Sequence, residues 1–480
     1  MAVDPRQLLL LLIALAVPSV AFLLGRTRII LAWVGFTLFV QVFDTSIVTN
    51  LPAGRVVGLL FLPAAVGLFR EWSRLTPARA WLVNFAYLVL LGMLFGFLMP
   101  WPDISGIRPF TVRAPGRTII YLIRTVSDLS LTVFVMSHVT RPGGFDTLRK
   151  WMVRGAAVSA AFAMTTLVTG IDFYTLITSL REYAKSDFRP RGLAFEPRGL
   201  GLACAYGLIL LLSKKHRSAR DWMLLFVIGA GLAVSSSSSA LAATIVGLTV
   251  IAFLGSMRVR FAMVMAVALI ASVLVVLAVT APTLVERSRY AIESRLQGRG
   301  VVEANRPRNA GEAVALRMDV FDSAASLFLL RNPQYALTGT GPGLISLPAS
   351  EHIPYGLYRS VFPVIDNPPS HGILLELSNT GVLGVTIWIF QVLAIYRAGR
   401  SLRRYRGLPF PPQAATTTFM VGAALYAIQV SPSPFWAVFL GVGWAIAAEG
   451  AALEKAKWLA RRQARMAAPP QQPAPALGQT

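Results

Sequence analysis

The sequence predicts an all-α, polytopic membrane protein of about 12–14 transmembrane helices, with one large outward loop that contains short helices of its own. Three observations carry that prediction. Of the 480 residues, 55% are hydrophobic and only 14% are charged. The charges are gathered into short clusters, so that 222–257, 261–285 and 407–448 carry none. A helix needs about 20 apolar residues to cross the hydrocarbon core, and the last of these runs is long enough for two crossings. Finally, the clusters of Lys and Arg fall in alternate connections, as expected when cytoplasmic loops retain positive charge. At these lengths only helices satisfy every backbone N–H and C=O internally, which excludes a β-barrel.

Taken in order, spans are expected near 7–25, 29–46, 55–70, 80–99, 118–138, 153–171, 195–213, 221–235, 236–257, 261–281, 372–396, 413–430 and 434–452. The first, Gln7 to Gly25, follows only Arg6 and lacks the basic leader and cleavage site of a secretory signal, so it is expected to remain as a span. The third is short and contains Pro63. The stretch 221–257 makes two spans only if the run Ser235 to Ser239 turns the chain between them. Cys204, the single cysteine, lies inside a predicted span and can form neither an intrachain disulfide nor a multi-cysteine metal site. A net charge of +23 raises nucleic acid as a partner. The basic residues, however, sit beside spans and not on a soluble module, so topology and membrane lipid account for them and no nucleic acid is expected.

The basic connections are those with Arg26 and Arg28, Arg70 and Arg74, Arg149 and Lys150, Lys214 and Lys215, Arg258 and Arg260, and the group from Arg397 to Arg406. The C-terminal tail, with Lys455, Lys457, Arg461, Arg462 and Arg465, falls on the same inner side before a Pro/Gln/Ala stretch from Ala467 to Thr480 that is expected to be disordered. The connections 100–117, 172–194 and 282–371 then face outward. A loop as long as the last is functional or a small domain of its own. Apolar residues at Val314, Met318, Phe321, Ala325 and Leu329 predict a surface helix over 311–330. The organisation read from this is 1–117 as N-terminal spans, 118–281 as a core of spans, 282–371 as the outer loop, 372–452 as C-terminal spans and 453–480 as a cytoplasmic, disordered tail.

The chemical inventory is short. There is no P-loop, HExxH, paired CxxC or acidic DxD, so neither a metal nor another cofactor is expected. Gly339-Thr340-Gly341-Pro342-Gly343 follows no strand and reads as a tight turn. The outer connections are rich in arginine: Arg108, Arg113 and Arg117; Arg189 and Arg191; and nine between Arg287 and Arg359. Planar guanidinium groups suit phosphate oxygens, which points to a lipid-borne phosphate or diphosphate. The alternative for each is an ion pair with the loop's own acids, among them Glu312, Asp319 and Asp322. His138 and His216 fall inside, His352 and His371 outside. His371 begins a span after Asn367-Pro368-Pro369-Ser370, where imidazole could accept a proton, or simply hydrogen-bond at the interface. Arg124 and Asp128 lie four apart within a span, either as an intramembrane site or as an i,i+4 ion pair.

Three stretches together resemble the O-antigen ligase and polymerase superfamily: Arg191-Gly192-Leu193-Ala194-Phe195-Glu196-Pro197 entering a span and followed by the serine run; Arg317 upstream of Arg331-Asn332-Pro333 and the 339–343 turn; and Ser370-His371 with Leu374, Glu376, Leu377 and Gly381-Val382-Leu383-Gly384. The resemblance covers about residues 118–450. The family usually has Asn after the histidine, where this chain has Gly372, and often Arg after the serine before span nine, where this chain has Ser239 and Ala240. The resemblance implies a metal-independent, inverting glycosyltransferase of a bacterial inner membrane, with its site facing the periplasm. It would take a glycan from an undecaprenyl diphosphate carrier and pass it to a second glycan or to lipid A core. His371 would be the general base, and Arg191 and Arg317, with Arg189, would hold the diphosphate. A transporter or lipid flippase, which would use Arg124 and Asp128, is the competing expectation.

Overall fold

A computed structural model describes residues 4–44, 52–72, 75–99, 101, 113–178, 190–214, 216–235, 237–254, 307–316, 318, 320–352, 369–405, 408–428 and 434–467, with 260, 261, 264 and 268 as isolated positions. Among the described residues every regular element is helical, and the protein is an all-α polytopic membrane protein. Six helices are long and apolar enough to span a bilayer. Four shorter apolar helices lie beside them.

The chain opens with α1 (Pro5–Leu23), whose first turn is capped by Asp4 accepting from the Arg6 N–H at 2.8 Å. It continues through α2 (Thr27–Thr37), α3 (Ala53–Trp72) and α4 (Thr76–Leu91). α3 runs through Pro63 without ending, and α4 passes into a π-helical turn at Gly92–Leu98. Next come α5 (Ala114–Val139), α6 (Gly144–Thr169), the short α7 (Phe173–Thr178), α8 (Pro197–Leu212), α9 (Ala219–Val234) and α10 (Ser238–Leu254). The segment between α10 and the last spans contributes α11 (Ala310–Ala315), α12 (Val320–Arg331), α13 (Pro333–Thr338) and α14 (Ser346–Ala349). The last spans are α15 (Gly372–Leu402), α16 (Pro412–Ile428) and α17 (Phe435–Ala467).

Every predicted span except 261–281, of which only isolated positions are described, has a helix at its place, and the serine run does turn the chain, between Ser235 and Ser238. The span expected at 29–46, however, is helical only to Thr37, followed by a short 3-10 turn at Gln41–Phe43. Three further expectations are corrected. The single surface helix over 311–330 is two helices, because the Ser323 hydroxyl donates to the Ala315 and Met318 carbonyls and stabilises a bend between them. Arg117 is not in a loop: α5 begins at Ala114 and places it, buried, in the first turns. The C-terminal tail is helical to Ala467, since 453–467 is built from strong helix formers with an exposed Glu454–Lys457 pair.

α5 sits centrally, packed by α3, α17 and the π-helical turn, while α15 packs on α4, α16 and α17. Tyr206 stacks between Phe435 and Phe439, and Trp444 is wholly buried. Leu23, Leu98 and Phe390 face outward, as lipid contacts require. The helix ends fall on two faces. On one, Arg28 donates to the Pro142 carbonyl and Lys457 lies over the Tyr405 ring, which brings basic connections together. On the other, Arg6 and Gln7 donate to the Leu176 and Thr178 carbonyls beside α7.

Candidate functional site

α15 positions the site. His371 is its N-cap residue, and the helix breaks at Gly381, where φ is +65°. A break in a membrane helix frees carbonyls that lipid cannot satisfy. The 339–343 turn supplies the donors: Thr340 N–H bonds the Ser378 carbonyl at 2.7 Å, Gly341 N–H bonds the Asn379 carbonyl at 3.1 Å, and Gly343 N–H bonds Asn379 Oδ1 at 3.1 Å. Its glycines each have positive φ and approach a different helix, Gly339 against α15, Gly341 against Leu91 of α4 and Gly343 against Tyr121 of α5. The turn is therefore a plug in the bundle.

Above the break, α12 lies across the start of α15 through Ala325, Phe328, Leu374 and Leu377. This contact brings Asp322, wholly buried, against the chain entering α15. Asp322 Oδ1 accepts from the Ser370 N–H at 2.6 Å, and Oδ2 accepts from the Ser370 hydroxyl. His371 Nδ1 lies 3.0 Å from Oδ2. That approach is off the line of a ring hydrogen bond, so it is a close polar contact, and Nδ1 is sealed from solvent. The His371 side chain as a whole is 40% exposed. Burial alone would raise the Asp322 carboxyl, but His371 and the two Ser370 donors outweigh it and hold it below the usual carboxylate range.

Deeper in the bundle is a polar face. Arg117, Tyr121, Arg124 and Asp128 recur on α5 at spacings of four, three and four, so they share one side of the helix, opposite exposed Ile119 and Ile123. Arg117 donates to the Ser346 hydroxyl, and Tyr121 accepts from Asn379 at 2.6 Å. Asp128 does not close an i,i+4 pair with Arg124. Its carboxylate is taken by Arg55 of α3, bidentate at 2.9 and 3.1 Å, because α3 packs directly on α5. Facing it, Glu376 accepts from the Tyr426 hydroxyl at 2.9 Å and from Asn84.

The outward arginines are not all in one place. Arg191 is buried, with Nη2 2.6 Å from Asp172 and from the Thr175 hydroxyl, and stacks over Tyr174. It also bonds the Phe195 carbonyl, which anchors the turn leading into α8. Arg189, Arg317 and Arg108 lie outside the described residues. His352 sits near the Arg331–Glu312 pair. No protein-family model matches the chain, and no curated protein matches it. Sequence reasoning singled out His371 but missed Asp322 as its neighbour. The signal was present: Asp322 shares the stripe of Ala325 and Leu329, a charge on an apolar face.

Proposed function

We propose that the protein is a membrane glycosyltransferase that passes a glycan from an undecaprenyl diphosphate carrier to a sugar hydroxyl on the outer face of a bacterial inner membrane. The observation that carries this reading is His371, a partly exposed imidazole with one nitrogen sealed, at the N-terminal end of a membrane helix. In this reading His371 accepts the proton of the acceptor hydroxyl as its oxygen attacks the anomeric carbon. The bond to the diphosphate breaks with its electrons going to phosphate, and the anomeric centre inverts. Arg317, together with Arg189, is proposed to meet the phosphate charge, as the family resemblance implies; Arg191, which the resemblance also implies, is buried against Asp172 instead. Arg191 supports the site by fixing the 172–195 connection through Asp172 and Phe195.

Polymerisation, with a second carrier-linked glycan as acceptor, is favoured over ligation to lipid A core by the further arginines at 108 and 113, Arg117 being buried in α5 against Ser346. A transporter reading draws support from the helix break at Gly381 and the Arg55–Asp128 pair within the bundle. In transporters such a break exposes carbonyls to cargo, whereas here the 339–343 turn occupies them, so the transferase reading is preferred. The test is a deletion strain complemented with parent or His371→Ala protein at matched levels. Loss of glycan transfer in the variant supports the reading. Full transfer removes His371 from the mechanism. Single repeat units on the core in the deletion strain indicate a polymerase, and full chains left on the carrier indicate a ligase.

A further inference from the structure

Asp322 is an acid whose described partners all lie on two consecutive residues of another helix start. A carboxylate removed from water needs its lone pairs filled. Here the Ser370 N–H bonds Oδ1 and the Ser370 hydroxyl bonds Oδ2, while His371 Nδ1 lies 3.0 Å from Oδ2 without the alignment of a hydrogen bond. If Asp322 served only to tie α12 to α15, the two Ser370 bonds would suffice. The imidazole is an additional contact, and it has a chemical consequence. Neutral imidazole carries one proton, and a carboxylate beside Nδ1 favours the form with that proton on Nδ1. The lone pair is then on Nε2, away from the sealed edge, on the side of the ring that keeps its exposure.

We propose that Asp322 is the positioning residue for His371, holding the proton on Nδ1 so that Nε2 is the atom presented to the acceptor hydroxyl. The proposal rests on the reading of His371 as the base. As the acceptor O–H bond breaks, its proton passes to Nε2 and the ring becomes imidazolium. The new glycosidic C–O bond forms while the anomeric carbon's bond to the diphosphate breaks. Asp322 stays ionised throughout and faces the positive ring from 3.0 Å. It touches neither donor nor acceptor. The sequence places it five residues after Arg317, so α12 would align the base with a residue proposed for phosphate.

The test uses the full chain in lipid nanodiscs with ¹⁵N-labelled histidine, and His371→Gln assigns the His371 signals among those of the four histidines. In the parent, neutral His371 should be chiefly the Nδ1–H form. Asp322→Asn can offer an N–H to Nδ1 and should shift the ring to the Nε2–H form. In a transfer assay the same variant should lose on the order of 10²–10⁴-fold in kcat with KM changed only a few-fold. Ser370→Ala keeps the imidazole contact, so its tautomer should match the parent and its kcat should stay within about tenfold. A parent already in the Nε2–H form overturns the proposal, even if Asp322→Asn fails to fold. A folded Asp322→Asn with an unchanged tautomer also overturns it. A parent without transfer activity but with the expected tautomers would count against the proposed function alone.

Discussion

Gly25 and Gly381 share a φ of +65° but differ in what surrounds them, and the ψ of −160° at Gly381 adds a backbone strain that only glycine escapes, so the plug's contribution at the break in α15 sets a lower bound on the difference between them. At Gly25 nothing lies within 4 Å of the point where a Cβ would sit. Gly25→Ala should therefore cost only the left-handed strain, roughly 1–2 kcal/mol. At Gly381 the Cβ would come within 2.1 Å of the Leu337 carbonyl oxygen and 2.7 Å of the Gly339 nitrogen, and both are backbone. The turn would have to withdraw, losing the three bonds from Thr340, Gly341 and Gly343. At about 1 kcal/mol net for each, Gly381→Ala should be at least about 3 kcal/mol less stable than Gly25→Ala. Unfolding in mixed micelles, followed by tryptophan fluorescence, measures the difference. Hydrogen exchange at the Thr340 and Gly341 amides locates it. A difference below about 1 kcal/mol, with both amides still protected, would refute the argument that the turn satisfies the broken helix.

Other variants probe the charges and the sidedness. Arg191→Ala and Asp172→Ala should each destabilise by about 1–3 kcal/mol, reduced from the fully buried case because Asp172 is 31% exposed, and the double variant should be far from additive; thermal unfolding of the four proteins gives the coupling. Burial, and then the nearby Arg331 charge, hold His352 below its ordinary value of 6.5. The unfolded chain therefore binds this proton first as pH falls, so stability should be full above about 6.5 and decline below it, a slope that His352→Gln should remove. Cys204 is buried, so introduced cysteines should report with little background. Gln334→Cys should react with an impermeant maleimide in whole spheroplasts, and Arg404→Cys only after permeabilisation. The reverse pattern would invert the sidedness inferred for the outer segment.

The spans were legible because lipid imposes a strict length and a strict exclusion of charge, and α1 and α3 to α6 fall where runs such as 118–138 placed them, while α2 stops at Thr37, short of the end of the run 29–46. His371 was legible as a titratable residue at a span boundary. Its partner was not, because Asp322 and His371 are separated by the segment 323–370, and only the packing of α12 on Leu374 and Leu377 joins them. The same holds for Asp128. Spacing along one helix offered Arg124, whereas the contact between α3 and α5 delivered Arg55. Patterns of period 3.6 report which side of a helix is polar, and α5 shows this from Arg117 to Asp128, but not which neighbour will face it. The 339–343 turn was rightly read as a turn, yet its glycines follow from the three surrounding helices and not from its own sequence.

The plug also constrains how the protein is made. Residues 339–343 leave the ribosome before α15 does, so the amides that pair with the Ser378 and Asn379 carbonyls are made before the helix that needs them. Until it docks, α15 presents open peptide groups inside the membrane, a state the insertion machinery must shelter. Synthesis order and final architecture agree here: the donor segment is delivered first, and the helix that requires it arrives second.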